Sequence, residues 1–214
     1  MKNYRQHRVC LMAGDTVARS VSKFIYIRVG GQIRWIYPPL NKPNTLWPIA
    51  LDDMTAQEKV KTFLKETWDI SIGYRELSFL KPDNFDNGQI GYSVHPDNKS
   101  LATEKPGDWK KEWLVIGTDD LGDPFIVDTA TEELKVLTAM HGEGEWDPII
   151  ISDSLDSFGQ ILKELKILSV NRTTPVDLER KPITEKERGQ FIKNIKRNNS
   201  DIEFEYWDNL ISEE

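Results

Sequence analysis

The stretch Trp113–Asp128, WLVIGTDDLGDPFIVD, constrains the fold more than any other part of the chain. Trp113 to Thr118 is apolar on both faces, the composition of a strand covered from two sides in the middle of a sheet. Asp119-Asp120-Leu121-Gly122-Asp123 has turn chemistry throughout: Asp can bond its own backbone, and Gly accepts the left-handed conformation. Pro124 to Asp128 returns as a second strand, and Leu134 to Ala139 adds a third after another polar turn. The simplest arrangement is a meander of three antiparallel strands. The fold class that follows is α+β, a central antiparallel sheet flanked by helices.

The flanking segments supply those helices and one more hairpin. Phe24–Val29 and Gln32–Tyr37 are β-rich runs separated by Gly30-Gly31, a hairpin signal because a tight primed turn needs positive φ at its centre. Thr55-Ala-Gln-Glu58 is a capping box that opens a helix with Val60, Phe63, Leu64 and Trp68 on one face. Ile90 to Val94 reads as a short strand, and Asp97 to Asp108 as an exposed loop. Ser152-Asp153-Ser154 offers N-caps to an amphipathic helix whose stripe is Leu155, Phe158, Ile161, Leu162 and Leu165. Thr184-Glu-Lys-Glu187 is a second capping box, with Phe191, Ile192 and Ile195 inward; residues 201–211 suit either a helix or a strand. These readings divide the chain into an N-terminal hairpin extension (1–50), an α+β core (51–169) and a helical C-terminal appendage (170–214), all within one compact domain.

Charge narrows the function. The net charge is −7, but residues 1–34 carry seven Lys/Arg against one Asp, whereas residues 119–164 carry twelve Asp/Glu against two Lys. The phosphate backbone of a nucleic acid would be repelled by that acidic middle, so the expected partner is a basic protein and not nucleic acid. No apolar run approaches a membrane span, and the single cysteine, Cys10, cannot form an internal disulfide. A cytoplasmic location is the expectation.

Candidate chemistry is sparse. Asp119, Asp120 and Asp123 could place oxygens near one cation, but the ligand spacing and flanking helices of a calcium loop are missing. The three histidines, His7, His95 and His141, sit in no metal-ligand pattern, and no phosphate-cradling loop or nucleophile elbow is present. No catalytic residue, metal or cofactor is therefore assigned. His141, with Glu143 or Asp147, is the one histidine placed to act as a general acid/base, which keeps a hydrolase as an alternative. Trp109 and Trp146 lie in loops next to charged residues. They complete a candidate partner-binding set with Asp119, Asp120, Asp123, Glu143 and Glu145, although loop tryptophans also pack back over hairpins.

From Trp113 to Leu165 the pattern resembles a known family. A strand ends in Gly-Thr-Asp, a Gly-Asp-Pro turn leads to a strand ending in Asp, and a third strand enters a Gly-rich loop with Trp; Ile151-Ser-Asp-Ser154 and Phe158 close the segment. This is similar to the SUKH superfamily, in the branch named for the yeast Smi/Knr cell-wall regulator, over residues 73–166. The resemblance implies an α+β fold that acts by binding. Bacterial members are mostly immunity proteins that neutralise polymorphic toxins, so the implied partner is a basic secreted toxin domain. The yeast relative implies the alternative of a regulatory or scaffold module in cell-wall glucan synthesis.

Overall fold

In the computed structural model, residues 18–21, 24–29, 32–36 and 54–212 are described. The chain separates into two compact units, Met1–Ile49 and Ala50–Glu214, where the sequence suggested one domain. In the first unit, β1 (Ala18–Val21), β2 (Phe24–Val29) and β3 (Gln32–Ile36) form an antiparallel sheet in that order. Val29 pairs with Gln32 in the expected register. The glycine pair between them lies outside the described residues, and β1 adds a strand the sequence did not announce.

The second unit is built on a six-stranded antiparallel meander: β4 (Ile70–Ile72), β5 (Arg75–Phe79), β6 (Trp113–Asp119), β7 (Pro124–Asp128), β8 (Val136–Thr138) and β9 (Ile149–Ser152). The doubly apolar stretch is central, with two strands on one side of β6 and three on the other. Expected as three strands, the meander is six, because short strands on either side extend it. Gly117 lies at a bulge in β6, where a Cβ would sit 2.3 Å from the carbonyl oxygen of Ser78. Only glycine allows that approach of two backbones.

Four helices cover one face of this sheet. α1 (Ala56–Glu66) starts at the predicted Thr55/Glu58 capping box, and α2 (Leu155–Leu168) at Ser154, whose side chain accepts from the Ser157 N–H. α4 (Glu185–Ile195) starts at the Thr184/Glu187 box, and α5 (Phe204–Leu210) follows. The short α3 (Pro175–Arg180) buries only Leu178. Phe158 is the hub of the core, its ring 5.8 Å from that of Phe125 and 6.1 Å from those of Phe63, Phe79 and Trp207. Phe191, Ile195, Trp207, Leu210 and Ile211 belong to the same buried cluster. The C-terminal segment expected as an appendage (170–214) is therefore, over its described residues 170–212, part of the core. Arg172 pins it, donating to the carbonyls of Leu168, Lys181 and Pro182 and to both carboxylate oxygens of Glu187 at 2.8 and 2.9 Å.

Loops cover the opposite face. Trp109, Trp113, Val115, Ile126, Leu137 and Ala139 form a second cluster, with Tyr92 and Trp146 packed against it. Ile90 to Val94, expected as a strand, is instead a tight coil held by isolated bridges from Ile90 to Val94 and from Val94 to Ser100, just after a 3₁₀ turn at Asn87–Gln89. The reason lies in β6. Its partner β5 ends at Phe79, leaving Val115 without a strand neighbour on that side. The buried side chain of Gln89 takes the vacant place, donating to the Val115 carbonyl and accepting from its N–H, both at 2.9 Å. One side-chain amide thus replaces a backbone peptide and satisfies both polar groups.

Candidate interaction surface

The acidic turn sits at the tip of the β6–β7 hairpin, and most of its oxygens have local work. Asp119 Oδ1 accepts from the backbone N–H groups of Leu121 and Asp123, both at 2.9 Å, as the sequence predicted for a self-capping Asp. Gly122 takes φ +90°. Burial of the Asp119 carboxyl pushes its pKa up, against the lowering effect of the backbone donors, and the charges of Asp123 and Asp120 add to the rise. Asp120 faces β5, 3.4 Å from both the Arg75 guanidinium and the Glu76 N–H.

Asp123 reaches across to the loop between β8 and β9. Its Oδ1 accepts from the His141 backbone N–H at 2.8 Å and lies 2.8 Å from His141 Nδ1. A carboxylate only accepts, so Nδ1 carries the proton in this contact. Two bonds to one oxygen fasten the 140–147 loop to the turn. The sequence placed His141 beside Glu143 or Asp147; the carboxylate that engages it is Asp123, eighteen residues earlier. Among the described residues no hydroxyl or thiol is hydrogen-bonded to Nε2, and His141 is 54% exposed.

The other candidate residues divide sharply. Glu143 and Glu145 are exposed on the fastened loop, as is Asp147, and none forms an ion pair within the described residues. Trp146 is half-buried. Trp109 is only 2% exposed, with its indole N–H on the Trp113 carbonyl at 3.2 Å and its ring 5.1 Å from that of Trp146. Trp109 is therefore a core residue and no contact surface, a correction to the sequence reading: its loop folds back over a sheet face that no helix covers among the described residues. The two residues that do stand out are apolar. Leu121 at the turn tip is 60% exposed, and Met140 at the start of the fastened loop is 65% exposed. Sequence reasoning missed both. The signal for Leu121 was an apolar residue at the centre of a five-residue turn, where geometry leaves it nothing to pack on.

The arrangement is an exposed rim at one end of the sheet that carries exposed carboxylates together with two exposed apolar side chains, Leu121 and Met140. Among the described residues no group of three or more His, Cys, Asp or Glu is placed to hold a metal ion, and no helix is long and apolar enough to cross a membrane. Fold and rim together define an α+β protein that presents an acidic, apolar-tipped end to solvent. Compared with protein-family models, with curated proteins and with solved structures, the chain matches none.

Proposed function

We propose that this chain is a non-catalytic binding protein of the immunity type, which acts in the cytoplasm by occluding a basic toxin domain. The observation that carries this reading is the pair of bonds from Asp123 to His141, which joins the hairpin turn and the 140–147 loop into one preorganised rim. A rim held in place before the encounter loses little entropy on binding. The segment from 119 to 164, with twelve acids and two lysines, supplies long-range attraction for a cationic partner. Leu121 and Met140 supply exposed apolar contact. The resemblance of residues 73–166 to SUKH proteins points the same way.

The test is calorimetric titration of the purified chain with the product of the adjacent gene, paired with co-expression of the two. A one-to-one complex and protection from toxicity are expected. No heat of binding and no protection would overturn the reading. The His141–Asp123 pair also favours a hydrolytic reading, since a carboxylate on Nδ1 orients an imidazole for general-base work. That reading fails if a His141→Ala protein keeps its biological activity.

A further inference from the structure

On the helix-covered side, away from the rim residues, α1 and α2 leave a groove between them. Its two halves have volumes of about 270 and 320 Å³ and share Phe63, Glu66, Leu155 and Asp156 as lining. On α1 the lining residues Lys59, Thr62, Phe63 and Glu66 recur at helical spacing, so one stripe of the helix forms a wall about 10 Å long at 1.5 Å per residue. Across from it, Gly159 presents no side chain, and Trp68 stands 38% exposed at one end.

The groove's charge is unbalanced. Glu66, Glu132, Glu133 and Asp156 are all exposed on its rim, and none forms an ion pair within the described residues. Only Lys59 and Lys163 oppose them. Glu66 is also the last residue of α1, at the negative end of the helix dipole, where a carboxylate is unfavourable and a cation is preferred. Asp156, by contrast, sits favourably in the first turn of α2. Lys65 in the same turn suits that end of the helix, but Glu66 itself forms no ion pair within the described residues and stands beside an apolar notch. An external cation can pair with it.

We infer that the α1/α2 groove is a second docking site, distinct from the acidic rim, for a short basic segment of a partner protein carrying one apolar side chain between Lys or Arg residues. The apolar side chain lies over Phe63 and Gly159, beside Trp68, while the flanking cations meet Glu66 and Asp156, which line both halves. A wall about 10 Å long accommodates three extended residues at about 3.3 Å each, or two helical turns.

The probe is an acetylated octapeptide of lysine and arginine around a single leucine, with a second peptide in which every cation is replaced by glutamate. Titration of the ¹⁵N-labelled full chain is expected to shift the amides of residues 59–68 and 155–163 with the cationic peptide alone. The combined substitution Glu66→Lys with Asp156→Asn weakens binding about tenfold or more, and raised salt weakens it further. Circular dichroism checks that the variant keeps its helices, and the wild-type shift map decides the question if it does not. Four outcomes would overturn the inference: no shifts at millimolar peptide; equal binding of the glutamate peptide; shifts confined to 119–123 and 140–147; or a concentration-dependent dimer lost on the same substitution, which would make a second copy the occupant. The inference stands apart from the proposed function, because groove substitutions leave binding of the adjacent gene's product at the rim unchanged.

Discussion

The two faces of the six-stranded sheet are closed in different ways. One is covered by α1, α2, α4 and α5, whose buried residues converge on Phe158. The other is covered by the coil from Leu80 to Lys111 and by Trp146, whose aromatic rings replace a helix. Helices hide their own backbone polar groups, so their face can be large and continuous. Coil cannot, and the loop-covered face relies on specific side-chain bonds such as Gln89 to Val115 and the Trp109 indole to Trp113. Rigid scaffold and exposed loops are thereby separated, a division in which binding residues gather on the loops.

Truncations in the two faces should differ in kind. Phe158→Ala removes the ring shared by four aromatic neighbours and should cost about 3–5 kcal/mol, read from urea unfolding. It should destabilise every element together. Trp109→Ala should cost about 3 kcal/mol, at the lower end for a large aromatic, because coil can collapse into the space. Amide exchange should then rise mainly in residues 85–112 and 142–147 while the α2 amides stay protected. Equal loss of protection across both faces would erase the distinction.

A smaller effect separates the helical face by pH. Glu187 is held down from its ordinary 4.5 to about 2, first by the Thr184 backbone N–H and then by the Arg172 guanidinium. The depressed folded-state pKa means the ionised form favours the fold. Its contribution is fully present above about pH 4.5 and is lost as pH falls toward about 2. Glu187→Gln should flatten that part of the acid unfolding curve; an unchanged curve would show that the Arg172–Glu187 contact does not stabilise the tail. The smallest effect belongs to the rim. Glu143→Gln with Glu145→Gln should move stability by less than about 0.5 kcal/mol, since both are exposed and neither forms an ion pair within the described residues.

What the sequence disclosed follows from how local each signal was. The capping boxes at Thr55 and Thr184, the stripe of α2 and the Asp119 turn are set by residues within a few positions of one another, and the structure reproduces them. The strands β4 and β5 were not legible, being three and five residues long around a turn at Gly73. Ile90 and Val94 carry strand-like side chains, yet the deciding bond is that of Gln89 to a strand twenty-six residues away. The Asp123–His141 contact spans eighteen residues in the same manner. The candidate site was visible as composition; which carboxylates are engaged within the fold and which face outward depends on topology.

The central proposal is that the outward carboxylates steer a cationic partner onto the rim. Stopped-flow association with the proposed partner, taken as the product of the adjacent gene, tests it most directly, measured across ionic strength for the native chain and for the combined Glu143→Lys, Glu145→Lys and Asp147→Lys variant. Steering predicts a rate that falls steeply with salt and drops about tenfold or more in the variant at low salt, with dissociation little changed. A rate flat in salt and untouched by three charge reversals would contradict it.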